Sequence, residues 1–181
     1  MSSLVGLILA KSDSERLANK NRLDFNGQPM FLINTRKCLN IFSRVYVSSD
    51  DPWILGEAEE IGAIPIKRPK ELCGDTPNIP VYQHALQFMN GLNGIVAVQA
   101  NSPTINPKLI VITKYLMEHR FKEIMTCHKD YSIYGSIWAL SYWRLKNYDD
   151  PYKPKPEVLI YDPSIDIHTN EDYKKALCQK F

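Results

Sequence analysis

Short apolar runs alternate along this chain with mixed stretches, and each run ends abruptly in polar residues. LVGLILA at 4–10 is followed at once by KSDSERLANKN, and RVYVSSD at 44–50 and GIVAVQANSP at 94–103 have the same form. Unbroken apolar runs of this length are typical of buried strands in a parallel sheet, because both faces of such a sheet are covered. The pattern therefore predicts three buried strands.

Two of the stretches between these strands carry helix signals. DPWILGEAEEIGA at 51–63 has Pro52 at a permitted first-turn position, and TPNIPVYQHALQFMNGL at 76–92 is closed by Gly91. Strands that alternate with helices predict an α/β fold with a mostly parallel sheet. At this length we expect residues 1–181 to form a single domain.

The last third of the chain has a polar excursion and a helix start. NYDDPYKPKPEV at 147–158 is rich in proline and charge, which indicates a surface loop that serves as a lid or a subunit contact. Thr169 and Asp172 have the spacing of a capping pair, so a short terminal helix is expected over 168–181.

Charge and cysteine content restrict the classes of partner. The chain has 22 basic and 20 acidic residues, a net charge of only +2, whereas a protein that grips phosphate backbones over a long footprint needs a basic surface. The run at 4–10 is too short for a membrane span and lacks the basic lead-in of a signal peptide. The four cysteines contain no CxxC pair, which argues against a zinc or redox motif. We therefore expect a cytoplasmic protein without a nucleic-acid or membrane partner.

Polar residues follow each predicted strand at the edge where α/β sheets bind their ligands. Lys11, Arg16 and Lys20 can neutralise phosphate oxygens, and the amides of Asn21 and Gln99 can read the edge of a base. A ligand with several phosphates and a heterocycle suits this rim. A merely solvated turn is the alternative, because KSDSERLANKN contains neither a Walker pattern nor GxGxxG.

The turn after the first strand resembles a family motif. AKSDSERLANKN at 10–21 is similar to the A-R-x-x-S-K-x-x-P-x-K-N loop of sugar-activating cytidylyltransferases, the group of CMP-sialic acid and CMP-KDO synthetases. Further stretches resemble that family in the same order: FNGQPMFLINTRKCL at 25–39, RVYVSSDDPWILGEAEEIGA at 44–63, KRPKELCGDTPNIPVYQHAL at 67–86, VQANSP at 98–103 and SIDIHTNEDYKKA at 164–176. The motifs are specific as a set, though each is weak singly.

The resemblance implies a three-layer, Rossmann-like sandwich of the nucleotide-diphospho-sugar transferase type. It also implies transfer of CMP from CTP to a small sugar acid, with release of pyrophosphate and with Mg²⁺ as cofactor. A homodimer is a further option, although the family's dimer contact lies partly in an insertion that this chain lacks.

The same resemblance assigns roles to residues. Lys20 matches the lysine at the α-phosphate, Arg16 is assigned to the β- and γ-phosphates, and Lys11 stands where the family has an arginine. Nucleotide contacts are implied for Leu9, Ala10, Ser14, Asn21, Arg68, Asp75 and Gln99, with Arg68 and Gln99 reading the cytosine and the backbone of Leu9 and Ala10 facing the base. Asp166 matches a metal-binding carboxylate, and His168 stands where the family has the second one.

Three departures from the family keep a second hypothesis open. Glu15 occupies the place of a phosphate-binding lysine, and His168 replaces a carboxylate. A turn of roughly 4 to 6 residues after the strand at 123–126 replaces the insertion that builds the sugar pocket of the sialic acid enzymes. The alternative is a catalytically impaired nucleotide-binding homologue that acts as a sensor or partner subunit. We interpret His84, on a predicted helix, as a packed or capping residue, whereas His119 and His128 have no nearby set of partner residues that would indicate a site.

Overall fold

One seven-stranded sheet forms the centre of the molecule. The computed structural model describes residues 3–12, 14 and 16–179. The strands are β1 (Leu4–Leu9), β2 (Val45–Ser49), β3 (Ile64–Lys67), β4 (Gly94–Gln99), β5 (Glu123–Cys127), β6 (Ile133–Ser141) and β7 (Val158–Tyr161). Their order is β3-β2-β1-β4-β6-β5-β7, and β6 alone among these strands runs antiparallel to its neighbours. The prediction of a mostly parallel α/β sheet is confirmed.

Helices cover both faces of the sheet. They are α1 (Met30–Leu39), α2 (Pro52–Glu60), α3 (Asn78–Leu86), α4 (Pro107–Glu118), α5 (Tyr142–Lys146) and α6 (Asn170–Cys178), with 3-10 turns at Lys20–Arg22 and Lys70–Leu72. Buried residues of α1, α2 and α4 pack on one face of the sheet, and those of α3 and α5 pack on the other. Three layers result, as the family resemblance implied.

The sheet reverses its direction of growth beside β1. The chain moves outward from β1 through β2 to β3 and then returns to place β4 on the other side of β1. At such a reversal the loops after the two central strands diverge and leave a crevice at their carboxyl ends. The fold therefore opens a cleft beyond Leu9 and Gln99.

The predicted elements are recovered with adjusted ends. The helix predicted over 51–63 stops at Glu60, because Gly62 has a positive φ of 89° that a continuing helix cannot accommodate. The helix predicted over 76–92 ends at Leu86. Thr169 and Asp172 form the predicted capping box of α6.

The polar excursion after α5 is irregular up to β7, which begins at Val158. It is tied to the sheet, since the backbone N–H of Lys155 donates to the buried carboxylate of Glu123. Across the described ranges, no helix reaches the length and apolarity that a membrane crossing requires.

Candidate functional site

A cavity of about 240 Å³ opens at the carboxyl ends of β1 and β4. It is lined by Leu9, Lys11, Ser14, Arg16, Lys20, Asn21, Arg68, Gly74, Asp75, Thr76, Asn78, Val81, Gln99, Asn101 and His168. The lining is dominated by cations and by amide and hydroxyl groups. Such a set of donors, in a cleft of limited size, suits an anionic ligand that also carries hydrogen-bonding groups.

The segment from Ala10 to Asn21 is held in place by contacts to other elements. Ser12 donates hydrogen bonds to both carboxylate oxygens of Asp50, one from its backbone N–H at 2.9 Å and one from its hydroxyl. Although burial alone would raise the pKa of Asp50, these hydrogen bonds lower it below its ordinary value. The ammonium of Lys11 donates to the carbonyl of Gly74 at 3.0 Å. The segment is thus fastened at the rim of the cavity.

Arg22 secures the end of the same segment. Its Nε and Nη2 atoms donate to the two carboxylate oxygens of Asp51 at 2.8 and 2.6 Å, and its guanidinium lies 4.9 Å from the ring centroid of Trp53. Asp51 also caps the start of α2 by accepting from the N–H of Trp53. A planar pairing of this kind fixes the direction of the Arg22 side chain as well as its distance from Asp51. It therefore also restrains the backbone of the preceding residues, Lys20 and Asn21.

Three cationic side chains line the cavity: Lys11, Arg16 and Lys20. Arg16 is exposed, whereas Lys11 and Lys20 are half-buried. Burial, together with the neighbouring charges of Arg16 and Lys11, lowers the pKa of Lys20, and the charge of Asp166 opposes this shift. Cations that crowd one another in a cleft are stabilised by a polyanion, which gives this side of the cavity a strong preference for negative charge.

Asn21 lines the cavity and has a buried acceptor without a partner in the ranges that the structure describes. Its side chain is only 5% exposed, and its Nδ2 group donates to the carbonyl of Lys11 at 2.8 Å. Its Oδ1 atom has no hydrogen-bond partner within the described part of the chain. A buried acceptor without a partner is costly, and a ligand hydroxyl or amine would satisfy it.

Arg68 and Gln99 lie on the walls of the cavity. Arg68 is 5% exposed and donates from Nε and Nη2 to the hydroxyl and carbonyl of Ser48, at 3.2 and 2.8 Å. The carbonyl of Gln99 accepts a 2.8 Å hydrogen bond from Asn34 on α1, which fixes the backbone from which the glutamine side chain projects. The Arg68 side chain is thus fixed by Ser48, and the backbone of Gln99 is fixed by α1.

A carboxylate lies directly behind the cavity wall. Asp166 hydrogen-bonds through one oxygen to Asn101, and its other oxygen lies 2.6 Å from Nε2 of His168. Both partners line the cavity, and Asp166 is itself 29% exposed. Among the described residues, no group of three or more His, Cys, Asp or Glu side chains is placed to hold a metal ion.

Ten of the twelve residues singled out in the sequence line this one cavity. Asp166 adjoins the cavity, because it hydrogen-bonds to the lining residues Asn101 and His168. Ala10 lies between two lining residues in the sequence but is itself fully buried, and its N–H donates to the carbonyl of Ser48. Glu15 lies outside the described residues. Lys20 and Gln99, which come from separate segments, share the cavity as expected.

Sequence reasoning missed several lining residues, including Thr76, Asn78, Val81 and Asn101. Asn101 could have been found, because it is a polar residue two positions beyond Gln99 at a strand's carboxyl end. Asn78 and Val81 lie on α3, and only the packing of that helix against the sheet brings them to the site.

A family model described as cytidylyltransferase matches residues 5–141. Pseudaminic acid cytidylyltransferase from Campylobacter jejuni is 32% identical over 112 residues, 58% of this chain and 48% of that protein. The 3-deoxy-manno-octulosonate cytidylyltransferase from Chlorobium luteolum is 34% identical over 107 residues, 58% of this chain and 41% of that protein. The chain therefore spans about half the length of the curated relatives it matches, or less.

Solved structures share the fold. The CTP complex of CMP:2-keto-3-deoxy-manno-octonic acid synthetase has a TM-score of 0.76 and 15% identity, covering 97% of both chains. The manganese complex of Rv0371c from Mycobacterium tuberculosis has a TM-score of 0.69 and 14% identity, covering 97% of this chain and 98% of that one. At such identities the likeness concerns the fold alone.

Proposed function

Because the chain belongs to the cytidylyltransferase family, we propose that it transfers CMP from CTP to a sugar acid and releases pyrophosphate. The observation that carries the proposal is the meeting of Lys20, Asn21, Arg68 and Gln99 at one cavity beyond β1 and β4. Relatives named for pseudaminic acid, 3-deoxy-manno-octulosonate and N-acylneuraminate support a sugar acid as the acceptor class. They do not favour an impaired homologue, since each is named as an enzyme.

In the proposed reaction, a hydroxyl oxygen of the acceptor attacks the α-phosphorus of CTP. The bond from that phosphorus to the β-phosphate oxygen breaks, pyrophosphate leaves with the electron pair, and the hydroxyl proton passes to water. The protein's task is to position the phosphates and to neutralise the charge that spreads over their oxygens. We assign the α-phosphate to Lys20 and the β- and γ-phosphates to Arg16 and Lys11.

The remaining cavity residues are assigned to the nucleoside. Gln99 and Arg68 read the cytosine edge, because an amide pairs a donor with an acceptor and Arg68 is fixed in direction by Ser48. The unpartnered Oδ1 of Asn21 accepts from a ribose hydroxyl or from the base. We assign the backbone of Leu9 and Ala10, and the side chains of Ser14 and Asp75, to the same ligand.

A divalent metal fits the donor set only together with the nucleotide. Mg²⁺ usually keeps several waters and takes one or two carboxylates plus substrate phosphates, and Asp166 can supply one hard oxygen. His168 would be a second, softer ligand, which suits Mn²⁺ as well as Mg²⁺. When bound, such an ion would polarise phosphate oxygens. Mg²⁺ is our proposal for the resident ion.

Two finer points belong to the same proposal. A cytoplasmic location is supported by the four cysteines, all of which are free thiols.

A homodimer is supported by the exposed apolar side chains of Val111, Ile112 and Tyr115 on α4, and sedimentation analysis would test it. The proposal treats residues 1–181 as one nucleotidyltransferase domain.

The direct test follows pyrophosphate release from CTP with Mg²⁺ or Mn²⁺ and a panel of 2-keto sugar acids. We expect release with at least one acid, and its loss in Lys20→Ala. Lys174→Ala is the matched control, because Lys174 is exposed on α6 and does not line the cavity. Release no faster than that of Lys20→Ala with every acid, while CTP still binds, would contradict turnover.

A further inference from the structure

A second cleft opens on the same edge of the sheet as the cavity beyond β1 and β4. We call that first cavity the nucleotide cavity, because the proposed function assigns it to CTP. The second cleft has a volume of about 480 Å³ and is lined by His128, Lys129, Asp130, Tyr161, Asp162, Pro163 and Ser164. We call it the His128 cleft. Its residues follow the carboxyl ends of β5 and β7, two strands that run parallel to each other and in the same direction as β4. A ligand there would lie beside a nucleotide bound beyond β1 and β4.

Tyr134 connects the His128 cleft to the loop after β4. Its ring stacks on the His128 imidazole, with ring centroids 4.7 Å apart and an angle of 16° between the planes. Its hydroxyl lies 3.5 Å from that of Ser164 in the His128 cleft and 2.8 Å from that of Ser102. Ser102 does not line the nucleotide cavity, but it follows the lining residue Asn101 in sequence.

The segment that follows β7 borders both sites in turn. Asp162 and Ser164 line the His128 cleft, whereas Asp166 and His168 belong to the wall of the nucleotide cavity. Ile165 is anchored between them by a 2.8 Å hydrogen bond from its N–H to the hydroxyl of Thr104. A molecule in the cleft and a nucleotide in the cavity would therefore contact neighbouring residues of one short segment.

The two acidic groups of the cleft are already engaged. Asp162 is buried and accepts hydrogen bonds from the hydroxyl of Ser136 and from the N–H and hydroxyl of Ser164, at 2.9 and 2.6 Å for the latter pair. Asp130 accepts from the N–H and hydroxyl of Ser132 at 3.0 and 2.6 Å. Both contacts of Asp130 go to its Oδ1 atom, and these hydrogen bonds hold the chain around the cleft.

The recognition groups are a cation and aromatic faces. Lys129 is exposed, and its ammonium has no hydrogen bond or ion pair within the ranges that the structure covers. Tyr161 projects from the edge strand β7 with 53% of its surface exposed. An ammonium beside aromatic rings matches a sugar acid, because a carboxylate pairs with the cation and the apolar face of a sugar ring packs on an aromatic ring.

From this arrangement we infer that the His128 cleft binds the sugar-acid acceptor, with the acceptor carboxylate at Lys129 and its ring against Tyr161 and His128. The inference rests on the proposed cytidylyl transfer, because it names where the acceptor of that reaction binds. The turn from His128 to Ser132 thereby takes the place of a longer sugar-binding insertion. His128, for which the sequence showed no nearby set of partner residues, becomes part of a binding surface.

The kinetic experiment compares acceptor KM values in two variants with those of matched controls. Lys129→Gln removes the cation, and Tyr161→Val removes the ring but keeps a residue that suits an edge strand. Lys174→Gln and Tyr152→Val are the controls, since both positions are exposed and lie outside the cleft. We expect the acceptor KM to rise about tenfold or more in the two cleft variants, with kcat and the KM for CTP changed less than twofold.

A binding experiment separates this inference from the proposed function. Backbone amide NMR signals are followed while 3-deoxy-manno-octulosonate or N-acetylneuraminate is added in the presence of the non-reactive α,β-methylene analogue of CTP. We expect shifts at 128–132 and 161–164 in the wild type and their loss in Lys129→Gln. Inorganic phosphate is added in a parallel titration, to distinguish a carboxylate site from a general anion site.

The outcomes are distinguishable. Turnover with an acceptor KM unaffected by Lys129→Gln and Tyr161→Val would overturn the inference and leave the proposed function standing. Shifts at the cleft without turnover would support the cleft and contradict the proposed function. Shifts with phosphate but with neither acid, or no shifts at all, would overturn the inference.

Discussion

Lys20 lies in a cleft where burial and the charges of Arg16 and Lys11 disfavour its protonated form. A bound anion would stabilise that form. Burial has the largest effect and lowers the pKa of the Lys20 ammonium, Asp166 opposes this shift, and the charges of Arg16 and Lys11 lower the pKa further. A triphosphate in the cavity would add its counter-charge to that of Asp166. In the folded protein Lys20 therefore loses its proton at a lower pH than an exposed lysine does, and a bound triphosphate raises its pKa again.

This change in pKa predicts a proton uptake that calorimetry can measure. CTP binding should take up a proton as the pH rises through the lowered pKa of Lys20, and the affinity for CTP should fall over the same range. Titrations in two buffers of different ionisation enthalpy measure the uptake. Lys20→Met should abolish it, because methionine keeps the length of the side chain without its charge. The same uptake in Lys20→Met would assign the proton to another group.

The residue at position 168 should affect the Mg²⁺ dependence of CTP binding. Changing His168 to Asp places a hard anionic ligand beside Asp166, so the Mg²⁺ concentration that half-saturates CTP binding should fall about tenfold. Calorimetric titration of CTP at a series of Mg²⁺ concentrations measures this value. Metal titrations that match those of the wild type would argue against a ligand role for position 168.

The element that matters most to the site, apart from the strands themselves, is α1. Its fully buried Asn34 donates to the carbonyls of Gln99 and Ser102, both at 2.8 Å. One turn later, Lys37 donates to the carbonyls of Pro103 and Ile105. The loop after β4 is thereby fixed by a helix that does not itself line the cavity.

Asn34→Leu should therefore damage both the fold and the site. The carbonyls of Gln99 and Ser102 each lose one donor but keep the backbone N–H of Ser102 and of Ile105, so the free energy of unfolding should fall by about 1 to 3 kcal/mol. The affinity for CTP should fall in addition, because Gln99 loses its support. Urea denaturation and calorimetry measure the two effects, with the exposed Asn40→Ala as control. Unchanged CTP affinity in a folded Asn34→Leu protein would show that the loop positions itself.

The elements also show how far the sequence alone reaches. β1, β2 and β4 are predictable because both of their faces are buried, which requires an unbroken apolar run. The edge strands β3 and β7 are only four residues long and have exposed positions, so neither gives a buried apolar run that stands out in the sequence. The helix α4 was missed because exposed Val111, Ile112 and Tyr115 obscure its buried stripe.

One of the two candidate binding sites could be predicted from the sequence, and the other could not. The nucleotide cavity could be predicted, because its residues follow strand ends and the family motifs mark most of them. The His128 cleft could not, since 128–130 and 161–164 lie far apart in sequence. The pairing of β5 with β7 alone brings them together, and neither segment carries a motif.

At the scale of the whole molecule, one continuous sheet joins the nucleotide cavity to the His128 cleft. Strands from the first 10 residues and from the region after 157 belong to it, so distant parts of the chain meet in one sheet. Two apolar clusters, one on each face, run across the strands. Such an arrangement favours a single cooperative unit.

We therefore expect thermal unfolding in one transition, with coincident curves from circular dichroism and tryptophan fluorescence. CTP at a hundredfold excess over its Kd should raise Tm by about 5 to 10 °C, because ligand binding to the native state alone adds about 2.7 kcal/mol of stability. Two separate transitions, of which CTP shifts one, would contradict the single unit.

A crystal structure of the protein with CTP would show directly whether the cavity beyond β1 and β4 binds the nucleotide. We expect the triphosphate along the segment from Ala10 to Asn21, with Lys20 at the α-phosphate and the cytosine between Gln99 and Arg68. CTP bound away from the carboxyl ends of β1 and β4, or with its base remote from Gln99, would contradict this expectation.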